Sequence, residues 1–137
     1  MKVLLLTFEE NEEDTLTRIL SCIGNRTEIL EYEDKGILQF EELCIDKYKW
    51  NVVREENEIE LTYTEFEILL LLANNPGRVF SKEQIYDSVW KETYSGDYNI
   101  VMSHIRNIRE KIEDNPSKPV YIQTVWGVGY KFNNKLK

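Results

Sequence analysis

The most restrictive feature of this sequence is the order of its strand and helix signals after residue 36. Four short segments with alternating or β-branched apolar residues come first, at 37–40, 43–46, 50–54 and 58–61. Turn-prone or charged residues separate them, a pattern that is typical of an antiparallel meander. Three helical segments and one hairpin follow, so the sequence predicts an α+β fold.

Capping boxes mark where the first two helices begin. Thr62 and Glu65 form one box ahead of an apolar segment, and Ser81 and Gln84 form a second ahead of residues 82–90. In a capping box the first side chain accepts a hydrogen bond from a backbone N–H, and the side chain three residues later returns one. The first turns of both helices are therefore predicted.

The third helix and the hairpin complete the pattern. Apolar residues recur at helical spacing in residues 97–113, which predicts a helix that Asp97 can cap. Residues 120–132 hold two extended segments around Trp126 and a glycine-rich turn, which predicts a β-hairpin. Three helices followed by a hairpin describe a winged helix-turn-helix with the hairpin as its wing, and we assign it residues 37–137.

The first 36 residues predict a separate, short βαβ-like segment. Residues 2–8 and 27–32 are extended by pattern, and residues 12–23 place apolar side chains at helical spacing. Acidic residues cluster just before and within the start of this helix, where the helix macrodipole favours carboxylates. A solvated helix start explains these acids without any further role.

The third helix has two chemically different sides. Four aliphatic residues fall on one stripe and are expected to pack inward: Val101, Ile105, Ile108 and Ile112. The opposite side carries polar groups, with Ile100 beside them and His104 and Arg109 on the flanks: Asn99, Ser103, Arg106, Asn107 and Glu110. Such groups suit the DNA major groove, where Arg pairs with guanine and Asn with adenine. A polar face that only meets solvent is the alternative.

The hairpin offers a second contact with nucleic acid. Trp126 lies at its tip, and Lys131, Lys135 and Lys137 follow. An exposed aromatic side chain beside lysines suits a wing that lies on phosphates or against a minor groove. The alternative is that Trp126 folds back onto its own domain.

The charge of the chain is acidic overall but unevenly distributed. The net charge is -8, which by itself argues against a nucleic acid partner. The last forty residues nevertheless carry seven basic and three acidic side chains. The region with the polar helix face and the wing is therefore the one basic part of the chain.

Other classes of function find little support in the sequence. Its apolar runs fall far short of the ~20 residues of a membrane span, and we expect a cytoplasmic protein with no membrane partner. Cys22, Cys44 and the single His104 cannot form a zinc site within one chain, and we expect both thiols to be buried. No motif indicates an enzyme, so we predict no catalytic residue, no cofactor and no metal.

Five motifs in the C-terminal region occur in a characteristic order and spacing. They are LTYTEFEIL at 61–69, NPGRVFS at 75–81, VW at 89–90, HIRNIREKI at 104–112 and YIQTVWGVGYKF at 121–132. With these motifs the chain resembles the OmpR/PhoB family of winged-helix response-regulator effector domains. The resemblance implies a bacterial transcription regulator that binds double-stranded DNA, with helix 97–113 in the major groove and wing 120–132 on the adjacent minor groove or backbone.

The resemblance also implies roles for single residues and partners. Four side chains would face bases: Asn99, Ile100, Ser103 and Asn107. Five would touch or approach phosphates, beside Trp126 and Lys131 of the wing: Trp90, His104, Arg106, Arg109 and Thr124. Family members usually bind direct repeats as head-to-tail dimers, so a homodimer on DNA is expected. The loop 91–96 corresponds to a segment that some members present to RNA polymerase.

The chain departs from the family pattern in three places. Asn107 and Trp126 stand where Arg is frequent, so fewer positive contacts with DNA are expected. A receiver domain of two-component phosphorelay signalling normally precedes the effector, whereas residues 1–36 predict one βαβ unit, which we interpret as a remnant or replacement. The alternative function is a winged-helix interaction module that acts through RNA polymerase or a full-length response regulator without reading DNA.

Overall fold

The computed structural model describes residues 5–23, 34–92 and 99–136. The chain divides into two units, Met1–Glu33 and Asp34–Lys137, whereas the sequence placed the boundary after residue 36. Each unit is described by itself below. Among the helices within these ranges, none has the length and apolar character of a membrane span.

The N-terminal unit contains a short 3-10 turn, Glu10–Glu12, and helix α1, Glu13–Ile23. The backbone N–H of Glu9 donates to the Glu12 carboxylate at 3.0 Å, which secures the first turn, so the predicted helix is confirmed. The strand predicted at 2–8 is wrong over residues 5–8, which form no strand. A strand also needs a partner strand for its backbone groups, which an apolar run alone does not specify. The extended segment predicted at 27–32 lies outside the described residues.

Four antiparallel strands open the C-terminal unit: β1 (Ile37–Phe40), β2 (Leu43–Asp46), β3 (Asn51–Arg54) and β4 (Asn57–Ile59). They pair in sequence order, as the predicted meander requires. Leu43 and Ile45 of β2 are fully buried, and Val52 of β3 lies opposite Ile45 and is buried with it. One face of the sheet therefore joins the core.

The turn between β3 and β4 is built without glycine. Glu55 and Glu56 have φ angles of 49° and 67°, both in the left-handed region, as a type I′ hairpin turn requires. Gly usually occupies such positions because it has no β-carbon, and Asn is tolerated there because its short polar side chain can form local hydrogen bonds. The local fold therefore holds two glutamates in an unfavourable backbone conformation.

Three helices follow the sheet: α2 (Tyr63–Ala73), α3 (Lys82–Trp90) and α4 (Asn99–Ile112). Both predicted capping boxes are present. Thr62 Oγ1 accepts from the Glu65 N–H at 3.2 Å, and the Glu65 carboxylate accepts from the Thr62 N–H at 3.1 Å. Ser81 and Gln84 exchange the same two bonds at 3.1 and 2.9 Å. Asp97, the predicted cap of α4, lies outside the described residues.

The hydrophobic core lies among the sheet, the helices and a C-terminal hairpin. It is made almost wholly of aliphatic and phenyl side chains, and its largest fully buried members are Leu43, Ile45, Ile68, Leu69, Leu72, Ile85, Ile105, Ile108, Ile112, Ile122 and Phe132. The expectation that both thiols are buried is wrong. Cys44 is half-buried on β2, and Cys22 is exposed because α1 buries none of its residues.

Strands β5 (Ile122–Val125) and β6 (Gly129–Phe132) form the predicted hairpin. Phe80, just before α3, exchanges two backbone hydrogen bonds with Tyr130, of 2.8 and 2.9 Å. A β-carbon on Gly129 would lie 2.0 Å from the Phe80 carbonyl oxygen, so only glycine permits this approach. The base of the hairpin is thus fixed to the helices, and the order of elements confirms a winged helix-turn-helix.

The turn between β3 and β4 predicts a stabilising substitution. Glu56→Gly should raise the free energy of unfolding by about 1 kcal/mol, because a left-handed conformation strains any residue that carries a β-carbon. Glu60→Gly is the matched control, since Glu60 is exposed and has no positive φ. The free energy of unfolding of this control should fall by a few tenths of a kcal/mol, because glycine adds conformational entropy to the unfolded state. Urea unfolding measures both changes, and equal changes in the two variants would contradict the assignment of strain.

Candidate nucleic-acid interface

Helix α4 is oriented by its buried stripe. Val101, Ile105, Ile108 and Ile112 are each 0% or 1% exposed, which confirms the inward side expected from their spacing. Because α4 packs against α2 and α3 through this stripe, its other side faces away from the core.

The outward side of α4 carries the four side chains expected to face bases. Asn99, Ile100, Ser103 and Asn107 are all exposed. Met102 is exposed beside them, and sequence reasoning missed it even though its spacing from Asn99 places it near this side. These five residues present short polar and apolar groups, and the charged side chains on this side of α4 are Arg106 and Glu110.

The charge on this surface is locally balanced. The Arg106 side chain is 80% exposed, and its Nε lies 3.4 Å from a carboxylate oxygen of Glu110. Exposed ion pairs one helical turn apart are weak. Arg106 can therefore exchange Glu110 for another anion at little cost.

The flank of α4 nearest α3 is a row of rings. His104 lies 5.6 Å from Trp90, measured between ring centroids, and Trp90 stacks on Tyr86 at 4.7 Å with an interplanar angle of 9°. Nδ1 of His104 is buried and has no hydrogen-bond partner among the described residues. Packing on Trp90 thus holds the imidazole of His104 in place. Trp90 and His104, both expected to contact phosphates, therefore lie next to each other.

Arg109 connects α4 to the wing. Its Nε and one Nη donate to the Ile122 carbonyl at 3.1 and 2.9 Å, and the same Nη donates to Thr124 Oγ1 at 2.8 Å. The guanidinium lies 5.5 Å from the centre of the Tyr130 ring. Burial lowers the pKa of Arg109 and raises the pKa of the Tyr130 phenol, although Arg stays protonated at any physiological pH. Arg109 therefore holds part of the interface together from within.

Glu113 makes a second connection between α4 and the wing, one that the sequence did not reveal. Its side chain follows directly after α4 and is buried. It accepts backbone hydrogen bonds of 2.8 to 3.1 Å from Val120, Tyr121 and Ile122. Hydrogen bonds to an ionised acceptor are about twice as strong as neutral ones. One carboxylate thus fixes the segment that leads into β5.

The tip of the wing is exposed and apolar. Trp126 is 90% exposed and Val128 is 58% exposed, so the alternative that Trp126 folds back onto the domain is wrong. Gly127 lies between them with φ of 77° and makes the reversal. The half-buried Lys131 lies on β6 behind the tip. It lines an open depression of about 620 Å³ together with Arg109, Ser117, Gln123, Thr124 and Trp126.

The loop expected to contact RNA polymerase, 91–96, is described only at Lys91 and Glu92; Lys91 ends α3 with φ of 56°, and the rest lies outside the described residues. Within residues 5–23, 34–92 and 99–136, no group of His, Cys, Asp or Glu side chains could hold a metal ion.

The local energetics of the wing generate a stability prediction. Glu113→Gln should lower the free energy of unfolding by about 2–3 kcal/mol, because an amide loses charge-assisted bonds and turns its NH₂ group towards backbone N–H groups. Glu110 is exposed on α4, and the control Glu110→Gln should change the free energy of unfolding by less than about 0.5 kcal/mol. Urea unfolding gives both values. Amide hydrogen exchange at residues 120–122 should accelerate in Glu113→Gln alone, and unchanged exchange there would contradict the role of Glu113.

A comparison with protein families matches residues 56–132 to the model described as transcriptional regulatory protein, C terminal. Two transcriptional regulatory proteins of Bacillus subtilis are each 50% identical to the chain: YrkP over 125 residues and YcbL over 95 residues. These alignments cover 89% and 69% of this chain but 54% and 42% of the relatives. The chain thus spans about half the length of the curated relatives that it matches.

Solved structures are also similar to this chain. The response regulator DrrB of Thermotoga maritima, an OmpR/PhoB homologue, superposes with a TM-score of 0.68 at 36% identity, covering 94% of this chain and 55% of that one. The DNA-binding domain of Klebsiella pneumoniae RstA, solved in complex with the RstA box, superposes with a TM-score of 0.66 at 28% identity, covering 71% of this chain and 96% of that one.

Proposed function

The chain belongs to the family of transcriptional regulatory protein C-terminal domains, and on this premise we propose that it binds double-stranded DNA at specific sequences to regulate transcription. In this proposal α4 enters the major groove, and the wing formed by β5 and β6 lies on the adjacent minor groove or backbone. Such a role places the chain in the cytoplasm.

The single observation that carries the proposal is the exposed outward side of α4. Asn99, Ser103 and Asn107 lie opposite a completely buried stripe, so the core does not need them. The major groove admits one helix and offers a distinct set of donors and acceptors at each base pair. An amide such as Asn107 pairs with adenine through two hydrogen bonds, and Ile100 suits a thymine methyl group.

Phosphate contacts would hold α4 and the wing in place on the duplex. Arg106 and Lys131 supply positive charge, and Trp90 and His104 supply ring N–H donors on the flank of α4. Thr124 can donate its hydroxyl hydrogen to a phosphate while its oxygen accepts from Arg109. Arg109 contributes to phosphate binding in two ways: it positions Thr124 through their hydrogen bond, and its positive charge lies close to the same phosphates.

A homodimer on DNA and a contact of loop 91–96 with RNA polymerase are further parts of the proposal. Both are supported by the family resemblance. The spacing of half-sites in bound DNA reports the first, because dimers place their recognition helices a whole number of helical turns apart.

The competing function is an interaction module that does not read DNA, favoured by the net charge of -8 and by the ion pair of Arg106. Selection of genomic fragments by the full chain at low salt separates the two functions. A DNA reader enriches one motif, and the logarithm of its affinity falls by ~0.9 per neutralised phosphate as the logarithm of salt concentration rises. A chain that enriches no sequence refutes the proposal.

The outward side of α4 predicts a change of specificity. Asn107→Arg should replace adenine by guanine at one position of the selected motif, with a penalty of about 1–3 kcal/mol on the original site. Asn74→Ala is the control, because Asn74 is exposed at the end of α2 and should leave the motif unchanged. If Asn107→Arg selects the wild-type motif, this side of α4 does not face the bases.

A further inference from the structure

The tip of the wing combines an unusual composition with a rigid base. Trp126 is 90% exposed and Val128 is 58% exposed, and a β-carbon at Gly127 between them would meet nothing within 4 Å. The tip therefore projects into open space. It presents an indole and an isopropyl group where a phosphate-binding loop would present cations.

The base of the wing leaves its tip little freedom to swing. Phe80 and Tyr130 exchange two backbone hydrogen bonds, and Arg109 donates to Ile122 and Thr124. Glu113 accepts from the two residues before β5. These contacts anchor both strands to the helical part. When α4 lies on DNA, the tip is therefore held beside α4.

Apolar side chains at such a position have a known use on DNA. Proteins that approach the minor groove insert apolar wedges between base steps, partly unstack them and kink the duplex. An arginine at the same place reads a narrow, electronegative A-tract groove, whereas a wedge favours the flexible pyrimidine–purine steps TA and CA. The two side chains thus select different sequences at the same position.

We infer that Trp126, supported by Val128, is a wedge that enters the minor groove next to the site of α4 and partly unstacks one base step. The wedge deepens the proposed function and rests on it, since it needs DNA at the wing. Lys131, with the charge of Arg109, lies behind the tip along the depression that the three residues line. These cations can neutralise the phosphates that flank a kinked step. Specificity at the wing would then come from DNA deformability.

The test uses the full chain and duplexes that carry the selected motif, with 2-aminopurine at successive steps beside it. This adenine analogue brightens when it unstacks. Wild type and Trp126→Phe should brighten it at one step, whereas Trp126→Ala and Trp126→Arg should not. Trp126→Ala should also lose about 10-fold in affinity, the scale of one lost base–aromatic stack. Tyr63→Ala controls for loss of an exposed ring, because Tyr63 is 64% exposed on α2, and it should behave as wild type.

A second readout is the selected sequence itself. Wild type should prefer TA or CA at the wing position, and Trp126→Arg should prefer an A·T tract there while the α4 motif is unchanged. Equal affinity and equal probe brightness for wild type and Trp126→Ala would overturn the wedge and leave the proposed function intact. If Trp126→Ala loses affinity for DNA with two half-sites but not for DNA with one, the wedge would also be overturned, because Trp126 would then contact a second copy of the chain. If wild type selects no sequence, the proposed function fails and the wedge fails with it.

Discussion

A buried carboxylate joins α4 to the wing, the two elements for which we propose contacts with DNA. Glu113, at the end of α4, accepts the backbone N–H groups of three successive residues that lead into β5. A charged group buried without partners costs far more than a hydrogen bond returns. Any conformation that separates the wing from α4 while Glu113 stays buried is therefore strongly disfavoured, and the wing has one position relative to the helix.

Arg109 repeats this connection one turn earlier on α4. Its Nε and one Nη donate to the Ile122 carbonyl, and the same Nη donates to the Thr124 hydroxyl, so the wing is attached to the helix at two levels. A surface arranged before its ligand arrives loses less conformational entropy on binding. This rigidity matters in a chain with a net charge of -8, because attraction to phosphates is confined to its basic C-terminal region.

The features that could be predicted are those set by residues close together in the sequence. Capping boxes at Thr62 and Ser81 are complete within one turn, and the stripe through Ile105 follows from helical period alone, so both could be predicted. The exposed side of α4 followed as the complement of that stripe.

Contacts between distant residues could not be predicted in this way. A Glu at position 113 looks like an ordinary solvated helix end, because nothing local shows that three N–H groups converge on it. The turn at Glu55 and Glu56 adopts a glycine-like backbone that its residue types do not favour. The apolar run at the start of the chain has the composition of a strand, but residues 5–8 form none, since composition does not supply a neighbouring strand.

The most direct measurement of the central claim, that α4 and the wing engage adjacent grooves as one unit, is a scan of the selected site with groove-specific base analogues. Purines that lack N7 alter only the major groove, and purines that lack N3 alter only the minor groove. We predict one run of base pairs sensitive to loss of N7 and a neighbouring run sensitive to loss of N3, centred about half a helical turn, or about 5 base pairs, away. Affinity that is indifferent to loss of N7 throughout the site, or sensitive to both changes at the same base pairs only, would contradict it.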